Sequence, residues 1–352
     1  KANRTPAERK VDSQLLRTAR ESTARLSLNS ELPQLRNDIV VDGGRTLVDI
    51  EASVNDGLLG AIERSGGTVI SALAEYDAIR AEVAPEAIVD LAARSDVTFV
   101  GPAAEATTNQ DDGDAIASSV GAGANEADLT HAAASARSTY GVDGTGVKAC
   151  VLSDGVDTIG ARQASGDLPA IDVLPGQAGS GDEGTAMLEL IHDIAPGAQL
   201  GFATGFSGTA QFAANIIALE ASGCTVIVDD ITYFSEPSYQ DGPIAQAVSA
   251  VRASGSVYFT SAGNSGNAPD GTSGTWQGDF DNEFSSSAPI PAGFRVHGWG
   301  QTGQPYNTIT RNSARTDLQW ADPMGGSGND YALVVLNSTG TTIVAASDNI
   351  QD

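Results

Sequence analysis

Lysine, methionine and cysteine are scarce in this chain of 352 residues, and aromatic residues make up only 5% of it. The chain carries 19 lysines and arginines against 45 aspartates and glutamates, so its formal net charge at pH 7 is −26. Because nucleic acids bind basic surfaces through their phosphates, we expect no nucleic-acid partner. No apolar run approaches the roughly 18 residues of a membrane-spanning helix, so we expect no membrane partner either.

The two cysteines, Cys150 and Cys224, lie in or beside predicted buried strands. We interpret them as small core residues and leave open whether they form a disulfide. The first residue, Lys1, is not a methionine, which is consistent with a numbering that starts after a cleaved segment.

Composition and hydrophobic pattern divide the chain into five segments. In the polar N-terminal leader, we expect little hydrophobic core from the three leucines Leu15, Leu16 and Leu26. An Ala-, Gly-, Asn- and Asp-rich linker separates two regions with regular apolar patterns. The segments are the leader 1–37, a compact α+β domain 38–105, the linker 106–127, an α/β domain 128–275 and a β-rich domain 276–352.

Residues 38–105 alternate between strand and helix patterns. Apolar and polar residues alternate over Thr46–Ala52, as on a strand, and Leu58, Leu59 and Ile62 then follow helical spacing. Two further strands, a helix beginning near Pro85 and a last strand complete the order β-α-β-β-α-β. That order predicts a ferredoxin-like unit.

From residue 128 onward, apolar strands alternate with helices, which predicts a parallel sheet covered by helices on both faces. Ligands bind such sheets at the carboxyl ends of the strands. Polar clusters occur at these ends: Ser153-Asp154-Gly155, Asp229-Asp230 and the stretch 261–266. Residues 276–352 show short strand patterns between turn residues, which predict an antiparallel β-sandwich.

The stretch Gly181-Asp182-Glu183-Gly184 opens a predicted helix. Exposed backbone N–H groups and the helix dipole favour a carboxylate at this position, so an acidic cap is one explanation of Glu183. The polar clusters at three strand ends favour another, in which Glu183 belongs to a site at the edge of the sheet.

The order of these motifs resembles the subtilisin-like serine proteases, or subtilases. The matching segments are residues 144–157, Asp182-Glu183-Gly184-Thr185, Ala195-Pro196-Gly197-Ala198 and Ser261-Ala262-Gly263-Asn264-Ser265. The resemblance covers 128–275 and, more weakly, 38–105, which resemble the propeptide of these enzymes. It implies a subtilase-like fold, a secreted or extracellular zymogen, a peptide or protein substrate, and the chain's own propeptide-like domain as a partner.

Three features depart from the family pattern. Glu183 stands where subtilases have a histidine, and the related sedolisins use a glutamate at this position. Sedolisins also have an aspartate one helical turn later, where this chain has Met187. Asp154 is shifted by one residue, which reverses the face of a side chain unless the strand has already ended or bulges. The nucleophile motif is missing, since Gly271-Thr272-Ser273-Gly274 lacks the helix that follows it in the family and is more typical of a turn.

The resemblance implies Glu183 as the catalytic base, Asp154 as the group that orients it, and Asn264 as an oxyanion donor. Asp229 and Asp230 are costly in an apolar strand unless they are paired, protonated or bound to a cation. They are either orienting groups or walls of the cleft, or they cap a neighbouring loop, and both explanations stay open.

The three histidines do not replace Glu183. His192 lies nine residues beyond Glu183, about half a turn out of phase on a helix, and neither His131 nor His297 has a motif around it. We expect no cofactor. Three aspartates offer oxygen ligands to calcium, but their spacing is not diagnostic: Asp270, Asp279 and Asp281.

These observations support three functional hypotheses. The first is a serine endopeptidase whose nucleophilic serine is supplied from outside this chain segment, for example by a companion fragment. The second is a catalytically inactive protein of subtilase fold that binds peptides or protein partners. The third is an unrelated acid hydrolase that uses Asp229, Asp230 and Glu183.

Overall fold

The structure is a computed structural model that describes residues 4–23, 38–108, 126–282, 284–299, 304–310, 315–324 and 326–350. The chain forms two compact units. Unit 1 comprises Lys1–Ala103, Ser238–Gln240 and Asn267–Asp352, and unit 2 comprises Ala104–Pro237 and Asp241–Gly266.

The N-terminal part of unit 1 contains a four-stranded antiparallel sheet in the order β2-β3-β1-β4. Its element order contains the β-α-β-β-α-β succession that the sequence predicts, whereas its role as a propeptide stays a prediction. Short 3-10 turns precede β3 and α4. The elements are α1 (Pro6–Arg9), α2 (Ser13–Ser22), β1 (Thr46–Ala52), α3 (Asp56–Arg64), β2 (Thr68–Leu73), β3 (Ala78–Val83), α4 (Ile88–Ala92) and β4 (Val97–Pro102).

Helix α2 contributes to the core of this sheet. Leu15, Leu16 and Ala19 lie on one face of the helix and are buried in one cluster with Val48 and Ile50. The expectation that Leu15 and Leu16 offer little core is therefore wrong, because their spacing concentrates the few apolar residues of a polar segment on one face. Leu26 lies outside the described residues.

The C-terminal part of unit 1 contains two separate antiparallel strand pairs, β12 with β13 and β14 with β15. Residues 318–320, predicted as a strand, form none. The β-sandwich is not confirmed by the described residues and stays a prediction. The strands are β12 (Phe284–Ser285), β13 (Arg295–Val296), β14 (Leu333–Leu336) and β15 (Ile343–Ser347).

The residues after β15 bind the N-terminal end of α2. The side-chain amide of Asn349 donates to the Asp12 carboxylate at 2.9 Å, and its Oδ1 accepts the Ser13 backbone N–H at 2.7 Å. Next to it, Arg4 and Asp348 form an ion pair at 3.1 Å. Two distant parts of the sequence are thus joined within unit 1.

We expect Asn349→Ala to lower the free energy of unfolding by about 1–2 kcal/mol, because two hydrogen bonds are lost and one of them goes to a carboxylate. Urea denaturation of both proteins measures the difference. Asn307→Ala, at an exposed asparagine of the same unit, is the control and should change stability by less than about 0.5 kcal/mol. Equal effects of the two substitutions would contradict the assignment.

Unit 2 is an α/β fold around a five-stranded parallel sheet in the order β11-β9-β6-β8-β7, flanked by helices. This confirms the predicted parallel sheet. The elements are β5 (Thr107–Thr108), α5 (Glu126–Thr130), α6 (Ala133–Tyr140), β6 (Lys148–Ser153), α7 (Ile159–Ser165), β7 (Ile171–Val173), α8 (Glu183–Ile194), β8 (Gln199–Thr204), α9 (Thr209–Ala221), β9 (Val226–Asp229), β10 (Ile231–Thr232), α10 (Pro243–Ser254) and β11 (Val257–Thr260).

The core of unit 2 fixes where its polar strand ends lie. Strand β6 is buried along its whole length, as expected for a central strand of a parallel sheet. Leu188 of α8 shares a buried cluster with Val151 of β6 and Phe202 of β8. The helix that begins at Glu183 is therefore anchored on the central strands.

Cys150 and Cys224 form a disulfide, which settles the question that the sequence left open. Cys150 lies in β6, and Cys224 lies two residues before the neighbouring strand β9, so their Cα atoms are 5.9 Å apart. Both residues are buried. The bridge joins the middle of β6 to the segment just before β9.

Within the described parts of the chain, no helix is both long enough and apolar enough to cross a bilayer.

Candidate active site

Three neighbouring strands of unit 2 end at the same edge of the sheet with polar residues. Strands β11, β9 and β6 are adjacent and parallel, so their carboxyl ends lie side by side. Asp154 follows β6, Asp230 follows β9, and Asn264 comes four residues after β11. The topology thus brings the predicted polar clusters to one edge, where ligands bind in α/β sheets.

Asp154 lies beyond the end of β6, so the one-residue shift in its motif does not turn it into the sheet. Its Oδ1 accepts the backbone N–H of Gly155 at 2.5 Å and that of Gly184, in the first turn of α8, at 3.2 Å. A Cβ at Gly181 would collide with the same carboxylate, and φ at this residue is +116°. Glycine at 181 therefore allows the loop before α8 to pack closely against Asp154.

Glu183 is the first residue of α8 and hydrogen-bonds through its side chain to Asp230 and Thr108. Its Oε2 is buried and has no hydrogen-bond partner among the described residues. Burial raises the pKa of Glu183 to about 7, with further contributions from the hydrogen bond and charge of Asp230 and from the charge of Asp154. The hydrogen bond with Thr108 opposes the increase in pKa.

A direct hydrogen bond between Glu183 and Asp230 requires a proton, because an ionised carboxylate only accepts. Two adjacent carboxyl groups therefore titrate as a pair that holds one proton over a range of pH. A group whose pKa lies close to neutrality can both take up and release a proton there, as general acid–base catalysis requires. Glu183 and Asp230 thus form a candidate proton-transfer pair.

The two aspartates of the pair Asp229-Asp230 have different surroundings. Asp230 hydrogen-bonds with the side chain of Glu183. Asp229 is 4% exposed and accepts hydrogen bonds from Tyr258 and Thr260 of β11. Asp230 lies between two strands, since β9 ends at Asp229 and β10 begins at Ile231.

The first residues of the predicted linker reach Glu183, because Thr108 hydrogen-bonds with its side chain. Strand β5 pairs antiparallel with β10, with Thr108 opposite Ile231 and Thr107 opposite Thr232. The sequence analysis did not single out Thr108, because a lone threonine outside a motif has no recognisable pattern. Tyr258 and Thr260 were missed for the same reason.

The remaining predicted residues lie in different surroundings. Asn264 is an exposed residue of the loop after β11, and the sheet topology places it near the carboxyl ends of β9 and β6. Ser273 follows the turn at residues 268–271, and its hydroxyl donates to the Thr275 carbonyl at 3.2 Å. His192 lies in the last turn of α8, away from the first turn that contains Glu183.

No group of three or more histidine, cysteine, aspartate or glutamate side chains could hold a metal ion in the described part of the chain. Asp270, Asp279 and Asp281 belong to that part, so these three aspartates do not form such a group.

No family model matches the chain, and no curated protein matches it. Among solved structures, it resembles fervidolysin from Fervidobacterium pennivorans, a keratinolytic enzyme related to subtilisin, at 15% identity and a TM-score of 0.40, over 68% of this chain and 42% of that one. It also resembles the epidermin leader peptide processing serine protease EpiP from Staphylococcus aureus, at 11% identity and a TM-score of 0.40, over 64% of this chain and 61% of that one. A serine-to-alanine variant of EpiP matches at 12% identity and a TM-score of 0.43, over 64% and 62% of the two chains.

The chain spans between about two fifths and three fifths of the length of these proteins. One of the matched proteins is an enzyme related to subtilisin, and the other is a serine protease.

Proposed function

We propose that this chain contributes the acid–base part of a serine endopeptidase of the subtilase type. Glu183 is the general base, Asp230 shares its proton and orients it, and Asn264 donates to the oxyanion. The nucleophilic serine comes from outside this chain segment. The observation that carries the proposal is the Glu183–Asp230 pair at the sheet edge, in which the pKa of Glu183 is raised to about 7.

The proposed reaction follows the chemistry of acyl transfer. As the serine Oγ attacks the peptide carbonyl carbon, Glu183 removes the hydroxyl proton, and the carbonyl oxygen becomes an oxyanion that accepts from Asn264. Glu183 then returns the proton to the leaving amine as the C–N bond breaks. In the second half of the reaction, Glu183 removes a proton from water, which attacks the acyl-enzyme carbonyl. The serine then leaves and takes the proton back from Glu183. Asp154, which accepts from Gly184, supports this arrangement at the start of α8.

The pairing of β5 with β10 supports a peptide or protein substrate. Strand β10 presents backbone groups to an extended segment, as proteins do when they bind a peptide by adding it to a sheet. In the chain as it stands, β5 occupies this edge and Thr108 reaches Glu183. This supports a zymogen-like state, in which the propeptide-like domain 38–105 acts as a partner of the enzyme.

The disulfide between Cys150 and Cys224 supports a secreted or extracellular location, because disulfides persist mainly in oxidising compartments.

A second candidate function is peptide binding without catalysis. It is favoured by the missing nucleophile motif together with the extended segment already paired to β10. The acid-hydrolase hypothesis is less well supported, because the Asp229 carboxylate accepts from two hydroxyls and leaves only Asp230 and Glu183 to share a proton.

A serine-reactive fluorophosphonate probe tests the proposal. We expect no specific labelling and no peptide hydrolysis by the isolated chain, because removing the nucleophile of a serine protease leaves only a remnant of catalysis. Material that also contains the companion fragment with its serine should be labelled on that fragment. Glu183→Gln should abolish this labelling, whereas Glu63→Gln, at an exposed helical glutamate, should leave it unchanged.

Two outcomes would contradict this assignment. Labelling of Ser273, or of another serine of this chain, with activity lost on its mutation would place the nucleophile here. A companion fragment that is never labelled, in a complex that still binds extended peptides, would support the binding function.

A further inference from the structure

Asp229 is the most buried charged side chain at this edge of the sheet and has no part in the chemistry proposed above. It is 4% exposed, and both of its oxygens accept hydrogen bonds. Tyr258 donates to Oδ2 at 2.5 Å, and Thr260 donates to Oδ1 at 2.8 Å. A buried carboxylate with several donors is a costly feature that persists where it fixes a geometry.

Both hydroxyl donors come from one face of the neighbouring strand. Tyr258 and Thr260 are two residues apart on β11, so their side chains point to the same side of the sheet. Thr260 is the register partner of Asp229, and the Ser261 backbone N–H donates to the Asp229 carbonyl at 3.1 Å. Side-chain and backbone contacts together fasten the end of β9 to the end of β11.

The same carboxylate shapes the chain around Asp230. Its Oδ1 also accepts the backbone N–H of Ile231 at 3.3 Å, which closes a turn from Asp229 over Asp230. The turn coincides with the break between β9 and β10. A regular strand would continue the ladder through Asp230, whereas the turn allows its side chain to meet Glu183.

We propose that Asp229, held by Tyr258 and Thr260, is a positioning residue that presents Asp230 to Glu183. The inference rests on the proposed function, in which Glu183 and Asp230 form the proton-transfer pair. It also explains why two consecutive aspartates end an apolar strand: the first binds the neighbouring strand, and the second binds the base.

The charges around the pair give the direction of the expected effect. Beyond the effect of burial, Asp230 after β9 and Asp154 after β6 raise the pKa of Glu183, and the hydrogen bond with Thr108 of β5 lowers it. Burial raises the pKa of Asp229, and the charge of Asp230 adds to this increase. Asp230 raises the pKa of Glu183 through both its hydrogen bond and its charge. Loosening Asp230 should therefore lower the pKa of Glu183.

The experiment is a titration of Glu183, resolved by carbon-detected NMR on the whole chain with labelled glutamate. In Tyr258→Phe and Thr260→Val, we expect the proton affinity of Glu183 to fall by about tenfold, which is one pH unit in its midpoint. Asp230→Asn removes the partner carboxylate and shows how far the Glu183 midpoint shifts when that partner is lost completely. Thr260→Ser keeps the hydroxyl and should restore the parent midpoint.

Ser256→Ala is the matched control. Ser256 precedes β11 and donates to the Cys224 carbonyl at 3.0 Å, so the variant removes a hydroxyl hydrogen bond at the other end of the same strand. It should lose some stability but leave the Glu183 midpoint unchanged. If the Tyr258 and Thr260 variants also leave the Glu183 midpoint unchanged, the role of Asp229 is purely structural. That outcome overturns the inference.

The parent titration separates the two proposals. A parent midpoint close to 4.5 would overturn the proton-transfer pair itself. A parent midpoint near 7 that no β11 variant moves would overturn only the role of Asp229. The two single variants are independent, so a folding failure of one leaves the other to decide.

Discussion

The double variant Cys150→Ala/Cys224→Ala should lose about 4 kcal/mol of its free energy of unfolding. The disulfide closes a loop with a sequence separation of 74 residues, and the chain-entropy estimate for a loop of that length is about 4 kcal/mol at 25 °C. The closed loop contains α8 and β8, so the unfolded chain gains freedom in the part that carries Glu183. Guanidinium denaturation of the two proteins, without reductant, measures the difference.

Reduction of the parent provides the control for this first prediction. Parent protein that is unfolded and refolded in strong reductant should approach the stability of the double variant, apart from the packing lost with two buried sulfurs. Thiol titration of unfolded, unreduced parent should find no free thiol. Two free thiols per chain would contradict the disulfide.

The sheet of unit 2 could be predicted from the sequence because its strands are continuous apolar runs between glycine- and proline-marked helix ends. A buried parallel strand needs apolar residues on both faces, so its pattern depends little on the rest of the fold. The same regularity predicted that the polar clusters share one edge.

The sequence offered Asp229 and Asp230 as possible orienting groups for Glu183, but the choice between them depends on where a strand breaks. Asp229 and Asp230 look equivalent in the sequence, and only the hydroxyls of Tyr258 and Thr260 assign the first of them to β11. These hydroxyls belong to residues that lie 29 and 31 positions away in the chain. The family resemblance pointed to Asp154 as the orienting group, whereas the side-chain hydrogen bonds of Glu183 go to Asp230 and Thr108.

Glu183→Gln should stabilise the protein at pH 8 and leave its stability unchanged at pH 4. The pKa of Glu183 is raised from 4.5 to about 7 in the folded state, mainly by burial and then by Asp230. Between these two values the folded state binds more protons than the unfolded state, so the free energy of unfolding falls as the pH rises. Below about 4.5 the group is protonated in both states, and above about 7 the full cost of a charged Glu183 applies.

The size of this effect follows from the same two pKa values. Their difference corresponds to at most about 3 kcal/mol, and partial access of water to Glu183 reduces the expected value to about 2 kcal/mol. A glutamine at 183 removes the charge and can still donate to the Asp230 carboxylate, so the variant should avoid this cost.

Urea denaturation of parent and variant from pH 4 to pH 8 should therefore give curves that coincide in acid and separate above pH 5. Glu63→Gln, at an exposed glutamate, should follow the parent throughout. Parallel curves for parent and Glu183→Gln over the whole range would show that Glu183 titrates normally, and the acid–base pair would then have no basis.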